Sequence, residues 1–472
     1  MDRACATVDL ASNAENQDTS PALSRCRKPM VPAMPSPQSV MKTNIPPNLL
    51  EELALKILCL KGEQTLVDLS KHLRLSFAVV DEVFQRLRKE RLCEVKGMTG
   101  LVHRVALSSE GRTRALEFMS LNQYVGPAPV SLGDYTACIR AQSVMRSEVH
   151  FQDVTQALED LVLSSRIQTR LGVAVASGTS LFLYGPPGCG KSIIAEKLFS
   201  IYGDSVWIPH AVEVSGQIIS VYDSALHRGI DEPAPDDTDG RWVLCRRPSI
   251  MLGGELTVEM LDLHLDPASR SYCAPIQMKA NNGVLIVDDF GRQLVPPKLL
   301  LNRWIVPLDR HIDFLTLAGG GKFEVPFDSL VVFATNLDLA DLGDEAFFRR
   351  LQTKIKVDYA TPEQFHEICL RVCRESDLEY DATVVDLMID SVTTRFNRPL
   401  RQCYPRDIVR QICLKARFEG EQPRFDTQAV ADACLNCFAF DLDYINSGAP
   451  VEWHRRRKET KLAEGAANPP SI

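Results

Sequence analysis

The segment 181–198, LFLYGPPGCGKSIIAEKL, constrains the fold of this chain more than any other feature. Four apolar residues predict a buried parallel strand, a glycine-rich turn follows, and a helical pattern begins at once. The turn matches G-x-x-x-x-G-K-[ST] in the strand–turn–helix context that this motif requires. Glycines let backbone N–H groups surround phosphate oxygens, and the helix N-terminus adds its positive end. The segment therefore predicts a nucleoside triphosphate site.

Two side chains at the end of this turn supply the expected chemistry. Lys191 should reach the β- and γ-phosphates, and the Ser192 hydroxyl should ligate Mg²⁺. The residues predicted to contact the nucleotide form one continuous run: Gly185, Pro186, Pro187, Gly188, Cys189, Gly190, Lys191, Ser192 and Ile193.

Two later apolar runs end in polar residues that suit the same site. Residues 283–287 read as a buried strand followed by Asp288 and Asp289, and residues 330–335 read as another that ends at Asn336. The carboxyl ends of parallel strands share one edge of a sheet, beside the phosphate loop. We expect Asp288 to hold Mg²⁺, largely through water, and Asp289 to act as a base or to orient water. Asn336 can hydrogen-bond the attacking water or the γ-phosphate.

The overall composition is typical of a globular protein with more than one domain. The chain has 472 residues, which suits two or three domains, and a net charge of −8, which gives no general attraction to nucleic acid or to an anionic membrane. The 14 cysteines are scattered among apolar residues, as in a reducing compartment. The first residues lack an apolar core, and no segment approaches the roughly 20 apolar residues that cross a bilayer. We expect a cytoplasmic protein without membrane insertion.

The region before residue 121 changes character at about Pro47. Residues 1–47 are rich in Ser, Pro, Ala and Asn and read as a disordered leader. Helical patterns over 49–60, 65–72 and 76–92 precede a β-hairpin over 92–107 and a helix from Ser109. This order resembles a winged-helix domain, which implies that the third helix would enter a DNA groove.

Charge on the third helix favours a protein partner over DNA. Its N-terminal half presents Asp81 and Glu82, which repel phosphates, and its basic residues lie at the other end. Residues 47–120 contain 12 Lys and Arg against 10 Asp and Glu, a weak electrostatic footprint for duplex DNA. DNA binding stays possible, and a protein-docking module is favoured.

The motifs together resemble an AAA+ ATPase over about residues 153–444. The features that carry this resemblance are the phosphate loop, Asp288 and Asp289, Asn336, Arg349 and Arg350, the strand 353–357 and the helical region 361–443. The resemblance implies hydrolysis of ATP with Mg²⁺ by a homo-oligomeric ring, most simply a hexamer.

The resemblance also implies roles for particular residues. Asn336 corresponds to sensor 1, and Arg350 or Arg349 to the finger that reaches a neighbouring subunit's ATP. Arg406, in Tyr404-Pro-Arg-Asp-Ile408, corresponds to sensor 2 at the start of a lid helix. The stretch 311–327 resembles the hairpin inserted before sensor 1 in MoxR-like and related clades. One departure is Asp289, where most of the family has Glu; the carboxylate remains, so hydrolysis is expected, at a reduced rate.

Three functions are consistent with these patterns. The leading one is a chaperone-like ATPase that remodels or assembles a protein partner recruited by the N-terminal domain. The alternatives are a DNA-associated ATPase or regulator and a nucleotide-gated scaffold. The expected α/β fold divides into a disordered leader (1–47), a winged-helix-like α+β domain (48–121), a linker with a helical segment (122–152), an AAA+ nucleotide-binding domain (153–358), a helical lid (359–444) and a disordered tail (445–472).

Overall fold

The computed structural model describes residues 34–230, 237–337, 349, 351 and 353–446, with side chains described as far as Phe438. No helix among these residues is long and apolar enough to cross a membrane.

Four helices and a small sheet form the N-terminal region. The helix α2 begins at a capping box between Thr65 and Asp68, and α3 buries the apolar stripe of its sequence against α1. The sheet has the order β1-β3-β2 with antiparallel pairing throughout. The elements are α1 (Pro47–Lys61), β1 (Gln64–Thr65), α2 (Leu66–Leu73), α3 (Phe77–Lys89), β2 (Cys93–Thr99), β3 (Val102–Leu107) and α4 (Ser109–Leu121).

A segment that composition assigns to the disordered leader is packed against this region. Residues 34–46, which we call the strap, cross the start of α3; Val40 is buried, its N–H donates to Glu82 Oε2 at 2.8 Å, and Ser76 Oγ donates to Pro37 O at 2.5 Å. The predicted disorder is therefore wrong for the strap. Composition failed here because two apolar residues, Val40 and Ile45, and backbone hydrogen bonds suffice to order the segment.

The segment 122–131 is also more than a flexible linker. Ala128 N–H donates to Leu73 O at 2.9 Å, and Gln123 N–H donates to Ser269 O at 2.7 Å. Ala128 is fully buried, and Val130 belongs to a strand. The N-terminal region is therefore attached to the rest of the chain by packed backbone.

The remaining elements follow in chain order. They are β4 (Val130–Ser131), α5 (Leu132–Ala141), α6 (Phe151–Ala157), α7 (Ser165–Ser177), β5 (Leu181–Tyr184), α8 (Lys191–Phe199), β6 (Ser205–Pro209), β7 (Ala211–Val214), β8 (Gln217–Ser220), β9 (Trp242–Arg246), β10 (Ser249–Leu252), β11 (His264–Leu265), β12 (Tyr272–Cys273), α9 (Ile276–Lys279), β13 (Gly283–Val287), α10 (Pro297–Arg310), β14 (Ile312–Thr316), β15 (Lys322–Pro326), β16 (Ser329–Thr335), β17 (Thr353–Lys356), α11 (Pro362–Glu375), α12 (Ala382–Asp390), α13 (Tyr404–Glu419) and α14 (Thr427–Asn446).

A parallel sheet of five strands in the order β10-β13-β16-β5-β17 forms the centre of the region that follows the N-terminal one. Apolar side chains cover both faces, which is why β5, β13 and β16 read as continuous apolar runs. The strand β5 lies between β16 and β17, so its carboxyl end adjoins those of its neighbours. The edge strand β10 was not predicted, because its sequence SIML is short and alternates in burial.

A second, mixed sheet with the order β11-β12-β8-β7-β4 lies beside the central one. The strand β6 pairs antiparallel with β9 and stays outside the central sheet. Ala211 and Ile218 of the second sheet belong to the apolar core of the N-terminal region. This shared core joins the N-terminal region to the sheets that follow it.

The helices α11 to α14 form the lid around one apolar core. The helix α11 starts at a capping box with Pro362 at its first position, and α13 also has a proline in its first turn. The predicted fold class is confirmed as an α/β fold: a parallel sheet is followed by a helical lid and preceded by a small α+β region.

Candidate functional site

The phosphate loop between β5 and α8 requires its glycines for two separate reasons. Gly188 and Gly190 have φ angles of +78° and +79°, which side chains rarely adopt. A Cβ on Gly185 would lie 2.1 Å from Val357 O, and one on Gly188 would lie 2.8 Å from Cys403 Sγ. The loop is therefore bounded by the neighbouring strand on one side and by the lid on the other.

The Lys191 side chain lies folded along this loop. Its Nζ donates to Gly185 O at 3.0 Å and to Pro186 O at 2.8 Å. Burial lowers the pKa of this ammonium, while the nearby Cys189, Asp288 and Asp289 oppose that shift. A bound triphosphate would offer the ammonium charged acceptors in place of two neutral carbonyls.

Ser192 and Asp288 meet at the end of β13. Ser192 Oγ donates to Asp288 Oδ1 at 2.9 Å, which joins the first turn of α8 to the strand that ends beside it. Hydroxyl and carboxylate oxygens are the ligands that Mg²⁺ prefers, and Mg²⁺ also takes water and phosphate oxygens. These two side chains fit a magnesium ion that a nucleotide brings with it.

Asp289 lies in an unusual backbone conformation. Its φ of +46° is in the left-handed region, which costs a residue with a side chain about 1–2 kcal/mol. Its N–H donates to Asp288 Oδ1 at 2.9 Å, and its side chain is exposed to the cleft described next. The backbone turn directs the second carboxylate away from the strand and into the cleft.

Most of the predicted site residues line a single cleft of about 540 Å³ between the central sheet and the lid; Gly185, Pro186 and Cys189 belong to the phosphate loop but do not line the cleft. Asn336, after β16, and Arg406, in the first turn of α13, lie in its wall with Asp289. The structure thus brings together the phosphate loop, the two acidic residues, Asn336 and Arg406. Arg350 lies outside the described residues, and the neighbouring Arg349 is exposed.

The part of the cleft away from the phosphate loop was not predicted from the sequence. Leu161 and Leu163 precede α7, Ile368 and Val372 come from α11, and all four line this end. Arg371 adds a cation there, held by Glu367 Oε1 at 2.7 Å. An amphipathic lid helix carries no sign of which partly buried residues face a ligand, so the sequence did not reveal these positions.

The lid contacts the phosphate loop directly. Cys403 N–H donates to Gly188 O at 3.1 Å, and the Gln402 side chain lies beside Gly190, where a Cβ would be 3.2 Å from Gln402 Oε1. Burial raises the pKa of the Cys189 thiol within the loop, so this cysteine stays protonated and contributes packing. The position of the lid is therefore coupled to the conformation of the loop.

Two family models match parts of the chain. Residues 157–233, which contain the phosphate loop, match the family of the magnesium chelatase subunit ChlI. Residues 361–436, in the lid, match a domain of unknown function, DUF8689. No curated protein matches the chain.

Solved structures with similarity to the chain include NtrX from Brucella abortus in complex with ATP, and the Holliday junction branch migration motor RuvB from Thermotoga maritima. NtrX is 15% identical over 64% of this chain and 60% of its own, with a TM-score of 0.36. RuvB is 14% identical over 60% of this chain and 72% of its own, with a TM-score of 0.35. The chain thus spans less than two-thirds of NtrX. Likeness at this level says nothing about substrate or partner.

Proposed function

We propose that this protein binds ATP with Mg²⁺ in the cleft, hydrolyses it, and uses the cycle to remodel or assemble a protein partner. The observation that carries this proposal is the convergence of Lys191, the Ser192–Asp288 pair, Asp289 and Arg406 on one cavity of about 540 Å³. A cavity of this volume suits a nucleotide-sized ligand. Its apolar end accommodates a base, and its glycine-rich end accommodates phosphates.

Each residue has a distinct task in the proposed hydrolysis. Ser192 and Asp288 would hold Mg²⁺, Asp288 largely through water, and the bound ion would supply positive charge to the phosphates. Lys191 leaves the carbonyls of Gly185 and Pro186 and binds the phosphates. Asp289 orients the attacking water or accepts its proton, and Asn336 holds that water or the γ-phosphate. Arg406 adds positive charge from the lid.

A ring of identical subunits, most simply a hexamer, is part of this proposal. A guanidinium supplied by a neighbouring subunit stabilises transition-state charge, and Arg350 or Arg349 is the proposed donor. The hairpin of β14 and β15, which directly precedes β16, supports placement with MoxR-like and related clades.

The packing of the strap supports a protein partner over duplex DNA. Glu82 accepts the N–H of Val40, and Ser76 donates to Pro37 O, so the strap lies on the N-terminal part of α3, the end that would read bases. The tip of the β2–β3 hairpin instead exposes apolar side chains, Leu101 at 95% and Met98 at 57%. Exposed apolar side chains of this kind suit a protein surface. In this proposal the winged-helix-like domain is a module that binds the protein partner.

Two measurements test the proposal. Phosphate release from ATP should require Mg²⁺ and stop on chelation; its absence at every nucleotide and protein concentration would contradict the ATPase assignment.

The full chain carrying Asp289→Asn should capture a partner in the presence of ATP, and a second substitution in the same chain, Leu101→Glu, should abolish capture. Phe418→Glu is the matched control, because Phe418 is 92% exposed but lies on the lid helix α13. Equal capture by both double variants would refute docking through the hairpin.

A further inference from the structure

The side-chain amide of Gln293 closes the turn that follows β13. Gln293 is only 8% exposed. Its Nε2 lies 3.2 Å from Gly253 O, 3.2 Å from Asp288 O and 3.4 Å from Asp289 O. Its Oε1 accepts the N–H of Gly291 at 2.8 Å. One amide group therefore contacts both acidic residues of the site through their backbone carbonyls.

The shape of this turn places two backbone carbonyls where one side-chain N–H₂ group can donate to both. The left-handed conformation of Asp289 brings the carbonyls of Asp288 and Asp289 to the same side of the chain, where both face Gln293 Nε2. Backbone bonds support the turn as well: Arg292 N–H donates to Asp289 O at 2.9 Å. The third carbonyl, from Gly253, belongs to the loop after the neighbouring strand β10, so Gln293 ties the turn to the sheet.

We propose that Gln293 is a positioning residue for ATP hydrolysis, which holds the turn so that the Asp289 carboxylate faces the nucleotide. This inference rests on the proposed function of the cleft. The Asp289 side chain lines the cleft, whereas Gln293 is buried behind the turn and acts only through backbone carbonyls. Loss of its donor should therefore disturb the hydrolytic step and leave nucleotide binding, which depends on the phosphate loop, largely unchanged.

Two variants of the full chain separate this role from a general packing role. Gln293→Met keeps the length of the side chain and removes its polar atoms, and Gln293→Glu keeps an acceptor for Gly291 but removes the donor. For both, kcat at neutral pH should fall by about 10-fold or more while the Kd for ATP changes by less than about 3-fold.

Gln142→Met is the matched control. Gln142 is also buried, at 1% exposed, and its amide exchanges hydrogen bonds with Trp207, donating to its carbonyl at 2.8 Å and accepting its N–H at 2.9 Å. It contacts Asn282, which precedes β13, and so lies at the opposite end of that strand from Asp288. This variant should lose thermal stability but retain kcat within about 2-fold, because no catalytic turn depends on it.

The pH profile of Gln293→Glu supplies a signature that lost packing cannot produce. A protonated glutamic acid has one O–H donor, so kcat relative to the parent should rise as the pH falls from about 8 to about 5.5, whereas Gln293→Met should show no such recovery. The charged residues on the segments around this position are Asp288, Asp289, Arg292 and Glu255. Gln293→Met keeps these groups and adds no charge, so the difference between the pH profiles of the two variants isolates the effect of the introduced carboxyl group.

The outcomes are distinct. A parent protein that hydrolyses ATP while both Gln293 variants keep its kcat would overturn the positioning role alone. The role is also overturned if kcat and ATP affinity fall together, or if Gln142→Met loses kcat to the same extent. A parent protein that binds ATP but never hydrolyses it would overturn the proposed function, and the positioning role with it.

Discussion

The strap is held by a buried ion pair whose removal should have a large and local effect. Arg241 and Asp239 are 5% and 4% exposed in their side chains, and Nη2 of the arginine lies 2.8 Å from Asp239 Oδ2. The other terminal nitrogen, Nη1, donates to Thr43 O and to Pro129 O, each at 3.1 Å. Arg241→Met removes these donors and leaves the Asp239 carboxylate buried without its partner.

The expected magnitude follows from burial. Removing one member of a buried ion pair costs about 3–5 kcal/mol, because the remaining charge stays desolvated. That cost corresponds to a change of about 10²- to 10⁴-fold in the equilibrium for opening the strap. An exposed ion pair provides the control. Arg114 and Glu117 are both more than half exposed, and breaking their pair with Arg114→Met should lower stability by about 0–1 kcal/mol.

Hydrogen exchange measures this opening directly. The amide of Ser36, bonded to Asp237 O, and that of Val40, bonded to Glu82 Oε2, should lose protection in Arg241→Met, while amides of the lid keep theirs. Adding Asp239→Asn should restore part of the protection, because the orphaned charge is gone. Unchanged hydrogen exchange at both amides in Arg241→Met would show that the ion pair does not hold the strap closed.

Three further predictions concern the site and the partner. Asp289→Asn should bind ATP like the parent and lose turnover, measured by equilibrium titration and phosphate release; retained turnover would mean that another group orients the water. ATPase activity per subunit should rise with protein concentration, and Arg350→Ala should lower this activity by about 10³-fold while ATP binding stays intact. Total activity strictly proportional to protein concentration, down to a demonstrated monomer, would contradict a ring. Anisotropy measurements on genomic DNA fragments near physiological salt should show no sequence-specific binding to duplex DNA, since the strap and Glu82 occupy the start of α3. Submicromolar binding that survives competitor DNA would favour the DNA-associated alternative.

The parts of the fold that the sequence revealed are those with a strong local signal. Buried parallel strands must be apolar on both faces, so β5, β13 and β16 stood out as runs, and the polar residues after them marked one edge of the sheet. The residues Lys191, Ser192, Asp288 and Asn336 could be placed together from topology alone. The lid helices lie largely within the region 361–443, which the sequence predicts to be helical.

The parts that the sequence did not reveal depend on contacts between distant segments. The strap is ordered by Glu82 and by Arg241, which are 42 and 198 residues from the strap atoms they bind. The role of Gln293 depends on the left-handed turn at Asp289, which no residue type announces. The apolar end of the cleft combines the segment before α7 with a face of α11. Periodicity and motif spacing carry no information on such pairings.

Binding of ATP in the cleft through the phosphate loop can be measured by titrating ATP in the presence of Mg²⁺ against the parent protein, Lys191→Ala and Lys415→Ala. In the proposed complex Lys191 makes charge-assisted hydrogen bonds to the phosphates, worth about 1.5–3 kcal/mol, so its removal should raise the Kd by about 10- to 150-fold. Lys415, in an ion pair with Asp432 on the lid, provides the control for loss of one positive charge and should leave the Kd unchanged. Equal affinity of Lys191→Ala and the parent would contradict the assignment of the site.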